Sequence, residues 1–486
     1  MNIYFVVNQP RDWPFETPGA TVITAREYIA DSNDVGPGLA RVFNFCRTNR
    51  YQGRGYYVSL VAEARGHRPW PDVKTIEDLQ TGDPKPLLAE GDDATSLWTI
   101  TSPTERTTVI NAHFGRDPAR KNDAAARQLF GLLHAPFIRA TFECRKGFWM
   151  PKEVRLLHPG NLDAAERAFA AEAAADYLAA PSRRQRGKGP PALAILYNAD
   201  EPDPPSSPAA LKAFCKTAKG MGMRAEVIGR DAIERLPEFD ALFIRDTTHV
   251  NHYTYQFARR AANEGLVVID DPDSIVRATN KVFLYELLSR HRIPLPRSLI
   301  VHRGNVAQIV ATLNLPCIVK LPDSAFSRGV AKIVSREQLD DVLKAFFERS
   351  ELVVAQEWLP TDFDWRVGVL DGRALYVCKY LMAPGHWQVI KREPGKKVEG
   401  ATIPLTIGET PEIVVKTAVQ AASVIGVGLY GVDLKQVGDR CYVIEVNDNP
   451  NIDAGNEDGV LKEALYREVL GVFLRRIRER GKPVEA

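Results

Sequence analysis

Beyond residue 190 the chain alternates between short apolar runs and longer stretches whose apolar positions recur every third or fourth residue, the marks of buried strands and amphipathic helices. Residues 192–198, 225–229, 241–245 and 266–270 read as strands, and 209–221 and 250–265 as helices. That order predicts an α/β unit around a parallel sheet. Further on, 315–320, 352–359, 364–370 and 374–381 read as strands, with Asp371-Gly372 as a tight hairpin turn. Helices are expected over 336–348 and 411–425, and a third begins at Lys281 behind a Thr279 or Asn280 cap. The first 180 residues are less regular. Strands are expected at 3–7, 22–28, 97–101 and 107–112, with helices at 56–65, 122–133 and the alanine-rich 162–180. Residues 181–191 are basic and bracketed by prolines, and read as a solvated linker.

The stretch richest in chemistry is 428–450, where two β-forming runs flank Gly438-Asp439-Arg440. A three-residue loop sets Val437 against Cys441 and, counting outward, Asp433 against Glu445. Asn447 then shares their face, while Ile444 and Val446 point to the other side. A two-residue loop opposes Asp433 to Ile444 and scatters the cluster. In the first register, two carboxylates and a carboxamide form a hard-oxygen nest suited to magnesium. The plainer alternative is a solvated hairpin face with unrelated acids. Lys281 falls in the first turn of its helix, where a positive charge is misplaced unless an anion such as phosphate joins it; a surface lysine fits there too. Lys320 ends an apolar strand, where burial without a partner is costly. The small-residue loop that follows, up to Gly329, can wrap phosphates with backbone N–H groups.

Composition narrows the field. At 486 residues the chain should hold roughly two to four domains. Its 45% hydrophobic and 26% charged residues are ordinary for a globular protein, and a net charge of +2 predicts no general attraction to nucleic acid or membrane. No signal-peptide pattern or membrane-length apolar run stands out. The six cysteines are scattered without a CxxC pair, so free thiols in the cytoplasm are expected. No GxGxxG follows the first strand of the α/β unit and no GxxxxGK[ST] occurs, which argues against the dinucleotide and P-loop routes. Arg47, Arg50, Arg54 and Arg65 suggest either an anion site or a solvated basic face. His113, His134 and His386 are read as structural or exposed.

Taken in order, Asn280-Lys281, Ile293-Pro-Leu-Pro296, Ile318-Val-Lys320, Gln356-Glu357-Trp358-Leu359, Asp364-Trp-Arg366 and Asp433…Glu445-Val-Asn447 resemble the ATP-grasp superfamily. The branch is that of RimK-like and glutathione synthetase-like carboxylate–amine ligases, and the resemblance runs over roughly 192–480. Residues 1–180 resemble the extra domain that precedes the ATP-grasp module in a RimK-like subgroup. The resemblance implies an α/β and α+β architecture: an N-terminal α/β domain (1–180), a parallel α/β pre-ATP-grasp domain (192–295), and two α+β lobes (296–354 and 355–486) gripping ATP.

It also implies roles. ATP would lie against the Gln356-Glu357-Trp358 segment, with Asp364 at the ribose, Lys281 and Lys320 at the phosphates, and Arg328 and Gly329 in the loop over them. Asp433, Glu445 and Asn447 would hold magnesium, with manganese as the alternative. Such enzymes convert a carboxylate to an acyl phosphate that an amine attacks. Arg366 is the candidate for the acyl-phosphate and tetrahedral oxygens, because a planar guanidinium suits them. This sequence departs from the family on the substrate side: one glycine remains in the loop, and Lys379 stands where relatives carry arginine. Lys391 and Lys397 are the compensating candidates near a variable run. Small-molecule or peptide acids and amines are the expected partners, without nucleic acid or membrane; homo-oligomerisation is suggested by the resemblance alone. The rival readings are an ATP-grasp kinase of a small molecule and a nucleotide-sensing module without turnover.

Overall fold

The parallel and antiparallel strand runs expected past residue 190 are both present in the computed structural model. It describes all residues except 1, 31–39, 49, 51–52, 81–97, 99, 102–105, 146–147, 180–188, 251, 324–328, 394–395 and 481–486. The chain divides into two units, the first over residues 1–186 and the second over 187–481.

In the first unit, strands Thr21–Thr24, Asn2–Val7, Ala40–Asn44 and Arg68–Trp70 form a parallel sheet in that spatial order. Thr107–His113, Phe137–Arg145 and Phe148–Leu156 form an antiparallel one. Aromatic side chains fill the core between elements, with Phe5, Trp13, Phe43, Phe45, Phe114 and Phe137 buried together. The strand expected at 22–28 is cut short. Thr24 and Glu27 exchange capping hydrogen bonds, the Thr24 N–H donating to Glu27 Oε2 at 2.9 Å, and this starts the helix Ala25–Ala30. Of the strand expected at 97–101, residues 97 and 99 lie outside the described residues; Trp98, Ile100 and Thr101 are not in a strand, and Trp98 packs on Phe142. Most of the linker expected at 181–191 also lies outside them.

The second unit begins with a parallel sheet ordered Val267–Ile269, Ala241–Ile244, Ala192–Leu196, Arg224–Ile228. Two antiparallel sheets follow. One runs Ser298–Val301, Val353–Glu357, Cys317–Lys320, Val330–Ile333, and the other Thr402–Leu405, Arg373–Leu381, Phe363–Leu370, Leu429–Val437, Arg440–Asn447. Alternation along the five-stranded sheet separates its two faces. Trp365, Val367, Val432, Leu434 and Val446 are buried against Val414, Ala418 and Ala421 of the helix Glu412–Ile425. The opposite face carries Asp364, Arg366, Asp433, Lys435, Glu445 and Asn447, most of the polar chemistry singled out from the sequence.

The hairpin that presents these groups differs from expectation in its turn. Val437 pairs with Arg440, so the loop is the two residues Gly438-Asp439, not three. Left to run, that register opposes Asp433 to Ile444. It does not, because a β-bulge intervenes: Leu434 pairs with Val443 and Asp433 with Glu445. The extra residue is Ile444, and it shifts the strand by one position. A second correction follows from the same irregularity. Val443 and Val446 enter the core, while Ile444 lines the polar side instead of pointing inward.

Candidate active site

A cleft of about 620 Å³ opens over the polar face of the five-stranded sheet and is bounded by the four-stranded antiparallel sheet and by loops after the parallel strands. Of the residues singled out from the sequence, Lys281, Lys320, Gln356, Glu357, Trp358, Asp364, Arg366, Asp433, Glu445 and Asn447 all line it. Asn280 caps the helix Lys281–Arg290 by accepting from the Val282 and Phe283 N–H groups, which fixes where Lys281 begins. Lys281 Nζ meets Glu445 Oε1 at 2.9 Å. Lys320, 8% exposed, donates to Gln356 Oε1 at 2.8 Å, and Gln356 in turn donates to Ser298 Oγ at 3.0 Å. Trp358 stands edge-on to Trp387 with 5.4 Å between centroids, and Lys332 Nζ lies 3.9 Å from the Trp358 ring centre. Arg297 holds both oxygens of Glu357, through its backbone N–H and its Nε.

Arg366 forms a two-pronged bond with Asp433, Nε to Oδ1 at 2.5 Å and Nη2 to Oδ2 at 2.9 Å. Burial opposes the charge on Arg366, but Asp433 outweighs it and holds the guanidinium firmly cationic. Burial pushes the Asp433 carboxyl up, and Arg366 pulls it back. Burial also works against ionised Glu445, yet Lys281 and Lys320 hold its pKa below the ordinary value. For Lys320, burial dominates and lowers the ammonium to about 8. Asn447 spends its Nδ2 on Gly431 O and Asp433 Oδ2. Its Oδ1 makes no hydrogen bond among the described residues.

Two carboxylates and one amide oxygen are the donor types magnesium takes when phosphates and water complete its shell. The residues present therefore fit the ion, though no group of three acids, histidines or cysteines converges as a metal site among the described residues.

Lys379 and Lys391 are not brought to the cleft. Lys379 pairs with Trp365 across the sheet, so it takes the face opposite Arg366, and its Nζ sits 4.6 Å from the Phe363 ring centre and 4.9 Å from that of Trp365. Lys391 alternates with Ile390 on a two-stranded ribbon; Ile390 and its partner Glu399 line the cleft, whereas Lys391 does not. Gly329 has a φ of +67° and its carbonyl accepts from the Leu321 N–H, with Val330 next to it at the cleft. Arg328 lies outside the described residues.

Several cleft groups went unread in the sequence. Lys435 is buried and donates to Asp364 Oδ1 at 2.5 Å and to Thr361 Oγ1 at 2.6 Å. Its signal was available: it lies two residues from Asp433 and so on the same strand face. Lys397, a compensating candidate from the sequence, does line the cleft and pairs with Asp203; Asp203, Tyr380, Asp448 and Glu457 come from separate strands and loops whose convergence no local pattern reveals.

Gly431 lets the floor close. A Cβ there would meet Pro450 Cβ at 2.6 Å and Arg366 Cδ at 3.2 Å. Gly431→Ala is therefore expected to cost about 1–3 kcal/mol in urea denaturation, as overpacking does.

Comparison with known proteins matches two family models to this chain. Residues 25–173 match the RimK-like ATP-grasp N-terminal domain and 278–461 the RimK-like ATP-grasp domain. A probable alpha-L-glutamate ligase from Vibrio vulnificus is 25% identical over 51% of this chain and 80% of its own length. A protein named probable alpha-L-glutamate ligase 1 from Pseudoalteromonas atlantica is 27% identical over the same shares. Among solved structures, the D-alanine–D-alanine ligase of Bacillus anthracis is 17% identical at a TM-score of 0.45, covering 60% of this chain and 100% of its own. A RimK domain ATP-grasp protein from Sphaerobacter thermophilus is 14% identical at a TM-score of 0.44, covering 57% and 98%.

Proposed function

Because the chain belongs to the RimK-like ATP-grasp family, we propose that it is an ATP-dependent ligase that joins a carboxylate to an amine and releases ADP and phosphate. One observation carries the reading: Lys281, Lys320, Arg366 and Lys435 line the same cleft as Asp433, Glu445 and Asn447, and no cysteine lines it among the described residues. Phosphoryl transfer asks a protein for positioning and charge neutralisation more than for covalent help, and this cleft offers those.

In this reading Lys281 and Lys320 receive the phosphates, and Glu357-Trp358 supports the adenine. Lys435 fixes Asp364 for the ribose. Asp433, Glu445 and Asn447 would hold magnesium, which when bound neutralises phosphate charge as the terminal phosphoryl group moves to the substrate carboxylate. Arg366 uses Nε and Nη2 on Asp433 and has no hydrogen bond from Nη1 among the described residues, so Nη1 is the donor proposed for the acyl-phosphate oxygen. Lys379 and Lys391 are given no part in the reaction.

All six cysteines are free thiols, and no helix among the described residues is long and apolar enough to cross a membrane; a cytoplasmic setting is our inference. The test is ADP release by the full chain with paired acids and amines, with mass spectrometry of the product. Release that needs both partners supports ligation. Release with an alcohol alone points to a kinase, and tight ATP binding without turnover to a sensor.

A pH dependence follows from Lys320. Its ammonium is charged below about 8 and lost as pH rises through that value. The kcat/KM for ATP, which reports free-enzyme groups, is expected to fall through that range, and Lys320→Arg should move the fall to higher pH. A flat profile between pH 7 and 9.5 would remove Lys320 from phosphate binding.

A further inference from the structure

Arg366 is held from two sides. Across one strand pair, Asp433 takes it by two N–H···O bonds. Such a contact fixes where the guanidinium points within its plane, and leaves the plane free to tilt about the line through the two bonds. Across the other strand pair Cys378 faces Arg366 directly, and Tyr380 stands diagonal to it at a separation an aromatic side chain spans. The alternation that turns Lys379 away from the cleft turns Tyr380 toward it. The Arg366 guanidinium carbon lies over the Tyr380 ring, 4.9 Å from its centre, a contact that favours one tilt over others.

Tyr380 is itself held. Its Oη donates to Glu457 Oε1 at 2.5 Å, and Glu457, 3% exposed, takes the Asp453 N–H on Oε2 at 2.8 Å. Asp453 in turn accepts from the Ser207 N–H at 2.6 Å. Tyr376, on the same strand, donates from Oη to the Asn451 carbonyl at 3.0 Å. Residues 451–457 are thereby pinned to this strand at two points, and the Tyr380 phenol is set by groups that strand pairing alone does not supply.

Arg366 Nη1 is the donor proposed for the acyl-phosphate oxygen, and its direction depends on the tilt that Asp433 leaves open. Resting on the ligase reading above, we propose that Tyr380 is a positioning residue: its ring sets the tilt of the Arg366 guanidinium, and Glu457 holds the ring in place. In this role Tyr380 meets neither the acyl phosphate nor the amine. A donor aimed in advance at charge that develops during the reaction stabilises the transition state more than the bound substrates. Loss of Tyr380 is therefore felt in kcat and not in binding.

The test takes the full chain with ATP, magnesium and the acid–amine pair of highest turnover, and follows ADP release. Tyr380→Leu is expected to lower kcat about tenfold, the scale of a desolvated cation–π contact. KM for ATP, acid and amine should each stay within about twofold, as for an interaction made only in the transition state. Tyr380→Phe keeps the ring over Arg366 and is expected to retain kcat within about threefold. Tyr380→Met takes the place of Tyr380→Leu should the latter not reach the parent's melting temperature. In an Arg366→Lys background, where a point charge has no plane to orient, Tyr380→Leu should cost no more than about twofold. The proposal falls while ligation stands if Tyr380→Leu leaves kcat unchanged, raises a substrate KM instead, or costs the same factor in both backgrounds. It falls equally if Tyr380→Phe is as slow as Tyr380→Leu. If no acid–amine pair consumes ATP, the ligase reading falls and takes the proposal with it.

Discussion

Lys320→Ala is expected to lower ADP release at least about a hundredfold, the effect of losing one preorganised charge contact, about 2.7–4 kcal/mol. The size follows from where the ammonium sits. The strand Cys317–Lys320 delivers it into the cleft with only 8% exposure, and Gln356, itself fixed by Ser298, holds it at 2.8 Å. An ammonium stripped of water and given one neutral acceptor is poorly satisfied, which is why its pKa drops to about 8. Such a group is poised for an incoming anion and moves little when one arrives. Glu445→Gln should cost as much, because Glu445 both anchors Lys281 and belongs to the proposed magnesium set. The check is a steady-state ADP assay on variants whose circular dichroism and melting match the parent. Near-normal turnover in either would dismiss the phosphate-end assignment.

Arg366→Met is expected to destabilise the second unit by about 3–5 kcal/mol, the usual cost of removing one partner from a buried ion pair. Without the guanidinium, Asp433 is left beside Glu445 and Asp364, both of which already push its carboxyl up. Removing both partners should be far milder. The double variant Arg366→Met with Asp433→Leu replaces the pair by apolar groups and is expected to recover most of the stability, while turnover stays at background. The sign with pH is fixed as well. Asp433 in the single variant can take a proton as pH falls, so the deficit should shrink between pH 7 and pH 5. Urea denaturation at the two pH values measures all three forms. A single variant as stable as the parent would show that this pair holds nothing together.

Much of the fold was readable because alternation and turn chemistry are local. The strand runs of the parallel unit, the cap at Asn280 and the turn at Asp371-Gly372, with φ of 51° and 75°, lie where the residues put them. The face a side chain occupies was harder, and two bulges decided it. From the two-residue turn at Gly438-Asp439, plain counting scatters the acids; the slip between Asp433 and Leu434 reunites them. From the turn at Asp371-Gly372, plain counting sets Lys379 opposite Asp364 on the cleft side. A slip between Gly368 and Val369 moves it opposite Trp365, onto the other face. No residue type in 442–446 or 374–376 announces either slip, since each depends on how the strand meets a neighbour distant in sequence. Lys435 needed no such knowledge, only its spacing from Asp433. The end of the cleft lined by Asp203, Asp453 and Glu457 was beyond reach for another reason: these residues meet through folding of the whole unit.

That meeting has a consequence for how the protein is made. Ser206 Oγ donates to the Ile452 carbonyl and the Ser207 N–H to Asp453, contacts that join positions 246 apart. Closing a loop of that span costs more chain entropy than closing the local turns within it. While the ribosome is still translating the stretch before residue 450, the nascent chain holds Lys281 and Lys320 but lacks Ile452 and Asp453, the partners of Ser206 and Ser207. This wall of the cleft is therefore completed only after residue 453 has been made, and a shorter nascent chain has no closed cleft to offer.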